Sequence, residues 1–158
     1  MSRITPSLWF NNNLEEAMDF YASVFPDTKI FGTTRYTEGG MGTPGTVMTG
    51  DFEILGQRFN AINGGDYFKF SEATSFIIDC KDQAEVDHYW EKLPADGGAE
   101  SQCGWVKDKF GVSWQIVPRA LYETVTGKDP AGAQRATQAM LKMQKLIIAD
   151  LEKAYRGE

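Results

Sequence analysis

Residues 7–26, SLWFNNNLEEAMDFYASVFP, decide the fold, because residues 75–94, SFIIDCKDQAEVDHYWEKLP, follow the same plan 68 positions later. At that offset Ser7 meets Ser75, Asp19 meets Asp87, Tyr21 meets Tyr89, Pro26 meets Pro94, and Phe25 is matched by Leu93. Each copy opens as a strand: Leu8 and Phe10 alternate against Trp9 in the first, and Phe76-Ile77-Ile78 forms an apolar run in the second. Each continues as a helix. In the first, Leu14, Ala17, Met18, Tyr21, Val24 and Phe25 recur on one face behind Asn13 as N-cap, with Glu15 and Glu16 in the first turn, where negative charge suits the helix start. In the second, Asp82 caps a helix running to Leu93, and a proline stops both. Strand, helix and stop in the same order twice make an internal repeat.

After the first copy come three strand candidates, Lys29 to Tyr36, Thr46 to Leu55 and Gln57 to Asn63. The glycine-rich stretch Glu38 to Gly45 separates the first two, and a tight turn at Gly56 the others. The second copy continues with strands at Glu100 to Lys107 and Val112 to Val117, joined by Asp108-Lys109-Phe110-Gly111. The class is α+β: two βαβββ modules, about 3–64 and 74–118, in one domain of residues 1–118, with residues 119–158 as a helical extension. In that extension Asp129-Pro130 starts a helix, and Ala133, Ala136, Met140, Met143, Ile147, Leu151 and Ala154 keep helical spacing. One continuous helix from Pro130 to Tyr155 would extend roughly 39 Å. Leu141, Leu146 and Ile148 widen its apolar face, so it either covers its own sheet alone or also meets a second copy, and a homodimer is expected.

Composition narrows the function classes. The chain's 158 residues carry 22 acidic and 16 basic side chains, a net charge of −6, with no basic block. A nucleic-acid or anionic-membrane surface is therefore not expected, since either requires clustered Lys and Arg. One histidine (His88) and two cysteines (Cys80, Cys103) are too few for a zinc site built from those residues. The first residues, Met1 to Pro6, lack the apolar run of a signal peptide, and a cytoplasmic location with reduced thiols is expected. His88 lies mid-helix and is expected at the surface.

Several stretches together resemble the glyoxalase/bleomycin-resistance (vicinal oxygen chelate) superfamily, in its demethylubiquinone methyltransferase-like branch. They are Thr5-Pro6-Ser7-Leu8-Trp9-Phe10, Glu15 to Tyr21, Gly56-Gln57, Ala61-Ile62-Asn63-Gly64-Gly65, Cys103-Gly104-Trp105-Val106-Lys107-Asp108 and Phe110-Gly111-Val112-Ser113-Trp114-Gln115-Ile116-Val117-Pro118. The resemblance implies a cupped mixed sheet enclosing a cleft, and, in metal-dependent members, His or Glu ligands on the first and last strands of each half. Here the corresponding positions carry Pro6 or Ser7, Ser75 and Gln115, with a further anchor within Gln57 to Asn63. Neutral amides and hydroxyls do not offset the dehydration of zinc, nickel or iron, so no metal and no cofactor are expected. Gly39-Gly40-Met41-Gly42 sits between two strands, where a hairpin loop explains it better than a methyl-donor site.

The expected cleft is aromatic and amide-lined. Candidate ligand-binding residues are Trp9, Gln57, Asn60, Asn63, Trp105, Trp114 and Gln115, because strand tryptophans with a few amides describe an apolar pocket with polar handles. Packing beneath the helices is the competing role for the tryptophans. Two acids are weak candidate catalytic groups: Glu53, flanked by Phe52 and Ile54, for which the solvent face of an alternating strand is the favoured role, and Asp108, for which turn chemistry is. The expected function is metal-independent binding of a small molecule. The alternatives are an isomerase, lyase or methyltransferase-like enzyme acting on a small metabolite, or a dimeric drug-sequestering protein.

Overall fold

The two copies of the repeat fold into two four-stranded mixed sheets in the computed structural model, which describes residues Met1–Glu158. The chain divides into two compact units, Met1–Phe70 and Ser71–Glu158. In the first, β1 (Ser7–Phe10) runs parallel to β4 (Gln57–Asn63), which pairs antiparallel with β3 (Val47–Ile54), and β3 with the edge strand β2 (Lys29–Arg35). Helix α1 (Leu14–Val24) buries Leu14, Ala17, Met18, Tyr21 and Val24 on one face of this sheet. Tyr21 stacks on Phe52 and Phe52 on Phe59, with ring centroids 6.1 and 5.4 Å apart. Gly50 lets the helix come close: a Cβ there would meet Met18 Sδ at 3.1 Å and Leu14 Cδ2 at 3.2 Å.

The second unit repeats the topology. Strand β5 (Ser75–Cys80) runs parallel to β8 (Ser113–Pro118), followed across the sheet by β7 (Trp105–Lys107) and β6 (Ala99–Glu100), with α2 (Gln83–Lys92) covering one face. The α+β reading and the βαβββ repeat therefore hold, down to the register. Ser7 stands opposite Asn60 as Ser75 stands opposite Ser113. Asp82 caps α2 as expected, accepting from Glu85 N at 3.0 Å.

Three local expectations are corrected. The segment from Glu100 to Lys107 is two short strands, because Cys103 (φ 57°) and Gly104 (φ 83°) both take left-handed conformations and turn the chain. Asn13 occupies the N-cap of α1, yet its side chain makes no capping bond, and its Oδ1 is buried without a partner. The cap comes from the end of the neighbouring strand β4: Leu14 N donates to Asn63 Oδ1 at 2.9 Å.

The third correction concerns the tail, which is not one helix. After α3 (Arg119–Val125), α4 (Pro130–Met140) ends, and the chain folds back into α5 (Ile148–Arg156). Other elements hold the break. Cys103 N donates to Met143 O and Gly104 N to Gln144 O, at 2.9 and 2.8 Å. The Gln83 amide takes both sides of the turn, accepting from Ile148 N at 2.9 Å and donating to Leu146 O at 3.2 Å. Folding back brings Leu146 and Leu151 into one buried cluster with Val117 and Leu121, which a straight helix would not collect. Arg135 closes the hairpin by donating to Ala154 O and Tyr155 O, two carbonyls in the last turn of α5. The apolar face that suggested a second copy is thus largely satisfied within the second unit.

Candidate functional site

Strand alternation gives each sheet a face under its helix and an open face. In the first unit, Leu8, Phe10, Phe52, Phe59 and Ala61 are buried under α1. The opposite, open face carries Ser7 and Trp9 from β1, Arg58, Asn60 and Ile62 from β4, and Asp51 and Glu53 from β3. Three of these form a chain: Ser7 Oγ donates to Asn60 Oδ1 at 3.1 Å, and Asn60 Nδ2 donates to Asp51 Oδ1 at 3.1 Å. Glu53 pairs with Lys29 at 3.1 Å, and the Arg58 guanidinium lies 3.6 Å above the Phe31 ring. Trp9 donates its indole N–H to Gly65 O at 2.9 Å and meets Phe68 edge-on at 4.9 Å.

The second unit's open face carries Ser75, Ser113, Gln115, Trp105 and Lys107. Gln115 Nε2 donates to Ser75 Oγ at 2.8 Å, and Lys107 pairs with Glu72. Trp105, Lys107, Ser113 and Glu72 line a small depression of about 170 Å³. Ser113, 2% exposed, has a buried hydroxyl oxygen without a partner.

The candidate residues thus separate by face. Trp9, Asn60 and Glu53 share the open face of the first sheet; Trp105 and Gln115 share that of the second. Trp114 lies on the helix side, 2% exposed, against Phe76, with centroids 5.5 Å apart. Asp108, 1% exposed, accepts from Phe110 N, Val112 N and Trp114 Nε1 at 2.9–3.0 Å, so its carboxylate organises the β7–β8 loop. Asn63 is also on the helix side, and Gln57 is exposed, donating to Arg58 O. The sequence reading passed over Asp51, although its place two residues before Glu53 puts both acids on one face. It also passed over Ser113, opposite Ser75, which only the register of β8 reveals.

The second unit adds no nucleophile of note. Burial, with Glu85, Asp79 and Asp82 nearby, pushes the Cys80 thiol up to about 12, so it stays protonated near neutral pH. Both cysteines are free.

The donor set also bears on a metal. Ser7, Asn60 and Asp51 offer one carboxylate, Ser75, Ser113 and Gln115 offer none, and no group of three His, Cys, Asp or Glu side chains is positioned to share an ion. These residues do not fit zinc, nickel or iron, whose dehydration needs more charge or imidazole than they offer. Gly39 to Gly42 lie in the connection between β2 and β3, whose turn is closed by Gly40 N donating to Thr37 O and Gly45 N to Tyr36 O. No strand–loop–helix cradle for a methyl donor is formed there. No helix is long and apolar enough to cross a membrane.

No curated protein matches the chain. A solved structure described as a putative 3-demethylubiquinone-9 3-methyltransferase, PhnB protein, from Bacillus cereus is 36% identical, covering 74% of this chain and 99% of that one, with a TM-score of 0.66. A protein from Pseudomonas aeruginosa is 18% identical over 75% of this chain and 98% of its own, with a TM-score of 0.62. The fosfomycin resistance protein FosX from Listeria monocytogenes is 15% identical over 77% and 94%, with a TM-score of 0.58, and like the previous one shows a shared fold. The model of the 3-demethylubiquinone-9 3-methyltransferase family matches residues 2–117, which span both repeats and stop short of the helical tail. By that match and by its paired βαβββ sheets, the chain belongs to this PhnB-like family of the glyoxalase/bleomycin-resistance superfamily.

Proposed function

We propose that the protein binds a small organic molecule on the open face of a sheet without a metal. The observation that carries this reading is the pair of neutral, mutually bonded groups, Ser7 with Asn60 and Ser75 with Gln115, at or near the strand positions where the resemblance implies His or Glu ligands in metal-dependent members. Trp9 and Trp105 supply aromatic area beside them, and the partnerless Ser113 hydroxyl is a polar group that a ligand or water would satisfy. Zinc or nickel is expected to leave the melting temperature unchanged, whereas a saturable rise at stoichiometric metal would overturn the metal-free reading. Native mass spectrometry of the purified protein is expected to show a retained organic ligand whose occupancy falls in the Trp105→Ala variant. That variant is preferred to Trp114→Ala, which would disturb the core and so confuse lost binding with lost folding.

A second reading rests on Asp51. Its carboxylate is oriented by Asn60, which is itself held by Ser7, so a bound metabolite with an acidic C–H would meet a positioned base. Turnover abolished by Asp51→Asn would favour an enzyme. The protein is further proposed to act in the cytoplasm as a homodimer, supported by the edge strand β2, exposed along its whole length with Ile30 and Phe31 each 48% accessible. A monomeric mass in sedimentation at micromolar concentration would contradict the dimer.

A further inference from the structure

One cavity is lined entirely by residues of the first unit. It is a cleft of about 480 Å³ in the first unit, where the connection between β2 and β3 meets the start of α1 and the end of β4. Its volume falls within the range of small-molecule sites. We propose that this cleft binds a small organic ammonium ion, held by the carboxylate of Glu15.

The argument starts from Asn63, 5% exposed at the end of β4. Its Oδ1 accepts from Leu14 N at 2.9 Å, and its Nδ2 donates to Val47 O and to Glu15 Oε2, each at 3.1 Å. Both amide hydrogens and the oxygen are therefore used, and the residue acts as a fixed bracket. It holds Oε2 of Glu15, the only charged side chain on the wall, and no hydrogen bond from Asn63 reaches Oε1.

Two of the wall's three hydroxyls are left as acceptors. Tyr36 donates its hydroxyl proton to Asn63 O at 2.5 Å, and Thr46 Oγ1 donates to Thr43 O at 2.6 Å, so each has spent its proton and can only accept from a guest. The backbone N–H groups of Tyr36, Thr46 and Gly64 are likewise spent, on Thr46 O, Thr43 O and Phe10 O. Asn12 and Thr43 are left to offer a side-chain donor. A wall with one carboxylate and surplus lone pairs matches a ligand that carries several N–H donors and a positive charge.

The start of α1 opposes this, since its dipole equals roughly half a positive charge. The full charge of Glu15 outweighs it, and the first helical N–H is already taken by Asn63. An anion, the usual guest at a helix start, would face Glu15 instead. A calcium ion would require more oxygen-bearing charge than one carboxylate provides.

The test is a titration of the full chain with benzylammonium, benzyl alcohol, benzoate and calcium chloride, followed by amide chemical shifts. Benzylammonium is expected to saturate below about 10 mM, the weak limit for a fragment-sized ligand, with shifts confined to 12–15, 41–47 and 64–65. Glu15→Gln is expected to weaken it at least about tenfold. Glutamine still offers Asn63 an oxygen, so the fold of the variant should be unchanged and its spectrum checks this. Glu16→Gln, the same charge change one residue on, should keep affinity within about threefold. Equal binding of benzyl alcohol or benzoate, stronger binding of calcium, unchanged affinity in Glu15→Gln, or no saturation by benzylammonium would each overturn the proposal. Shifts at 12–15 and 41–47 are distinct from those of a ligand beside Trp9 on the open face, which would reach 64–65 alone, so this inference can fail while the proposed function stands.

Discussion

Asp108→Ala is expected to destabilise the second unit by about 3–5 kcal/mol, because two buried donors and one part-buried donor lose their acceptor at once. Phe110 N and Val112 N keep the β7–β8 loop closed on Oδ1, while Trp114 Nε1 ties the core to Oδ2. Urea unfolding should show the loss as a lower midpoint, and the amides of Phe110 and Val112 should lose their hydrogen-exchange protection first. Asp108→Asn isolates the indole bond: its amide keeps an acceptor for the loop but turns an N–H toward the Trp114 N–H. Adding Trp114→Phe removes that clash, so the double variant should recover about 1 kcal/mol relative to additivity. A loss below about 1 kcal/mol for Asp108→Ala would mean that water replaces the carboxylate freely.

Asn63→Ala is expected to cost the first unit about 2–4 kcal/mol, since it uncaps α1 and leaves Val47 O without its side-chain donor. The informative comparison is Asn13→Ala, expected to stay within about 0.5 kcal/mol of wild type, because the Asn13 side chain makes no cap bond. The same measurement on both variants decides which asparagine starts the helix. Equal losses would restore Asn13 as the cap.

Those two asparagines illustrate how much was legible. The repeat was, because period-two strands, helical spacing and proline stops are local signals, and the residues 2–117 matched by the family span it. The cap was not: an N-cap preference is local, whereas Asn63 arrives from a strand 49 positions away. The tail break was hidden for the same reason. Residues 141–147 contain no glycine or proline and keep helical spacing, and the turn is stabilised by Gln83, Cys103 and Gly104. For the site, alternation reveals that Trp114 and Gln115 face opposite ways but not which faces water. That depends on where α2 and the tail settle.

The folded-back tail also gives the molecule a direction in time. Every strand and helix of the first unit lies within its first 70 residues, so that unit can close while the rest of the chain is still being synthesised. The second cannot: the cluster around Val117 and Leu121 stays open until Leu146 and Leu151 arrive near the end of the chain. During that interval its apolar surface is exposed on the nascent chain. A chain released before Leu146 would thus carry one finished half and one adhesive half.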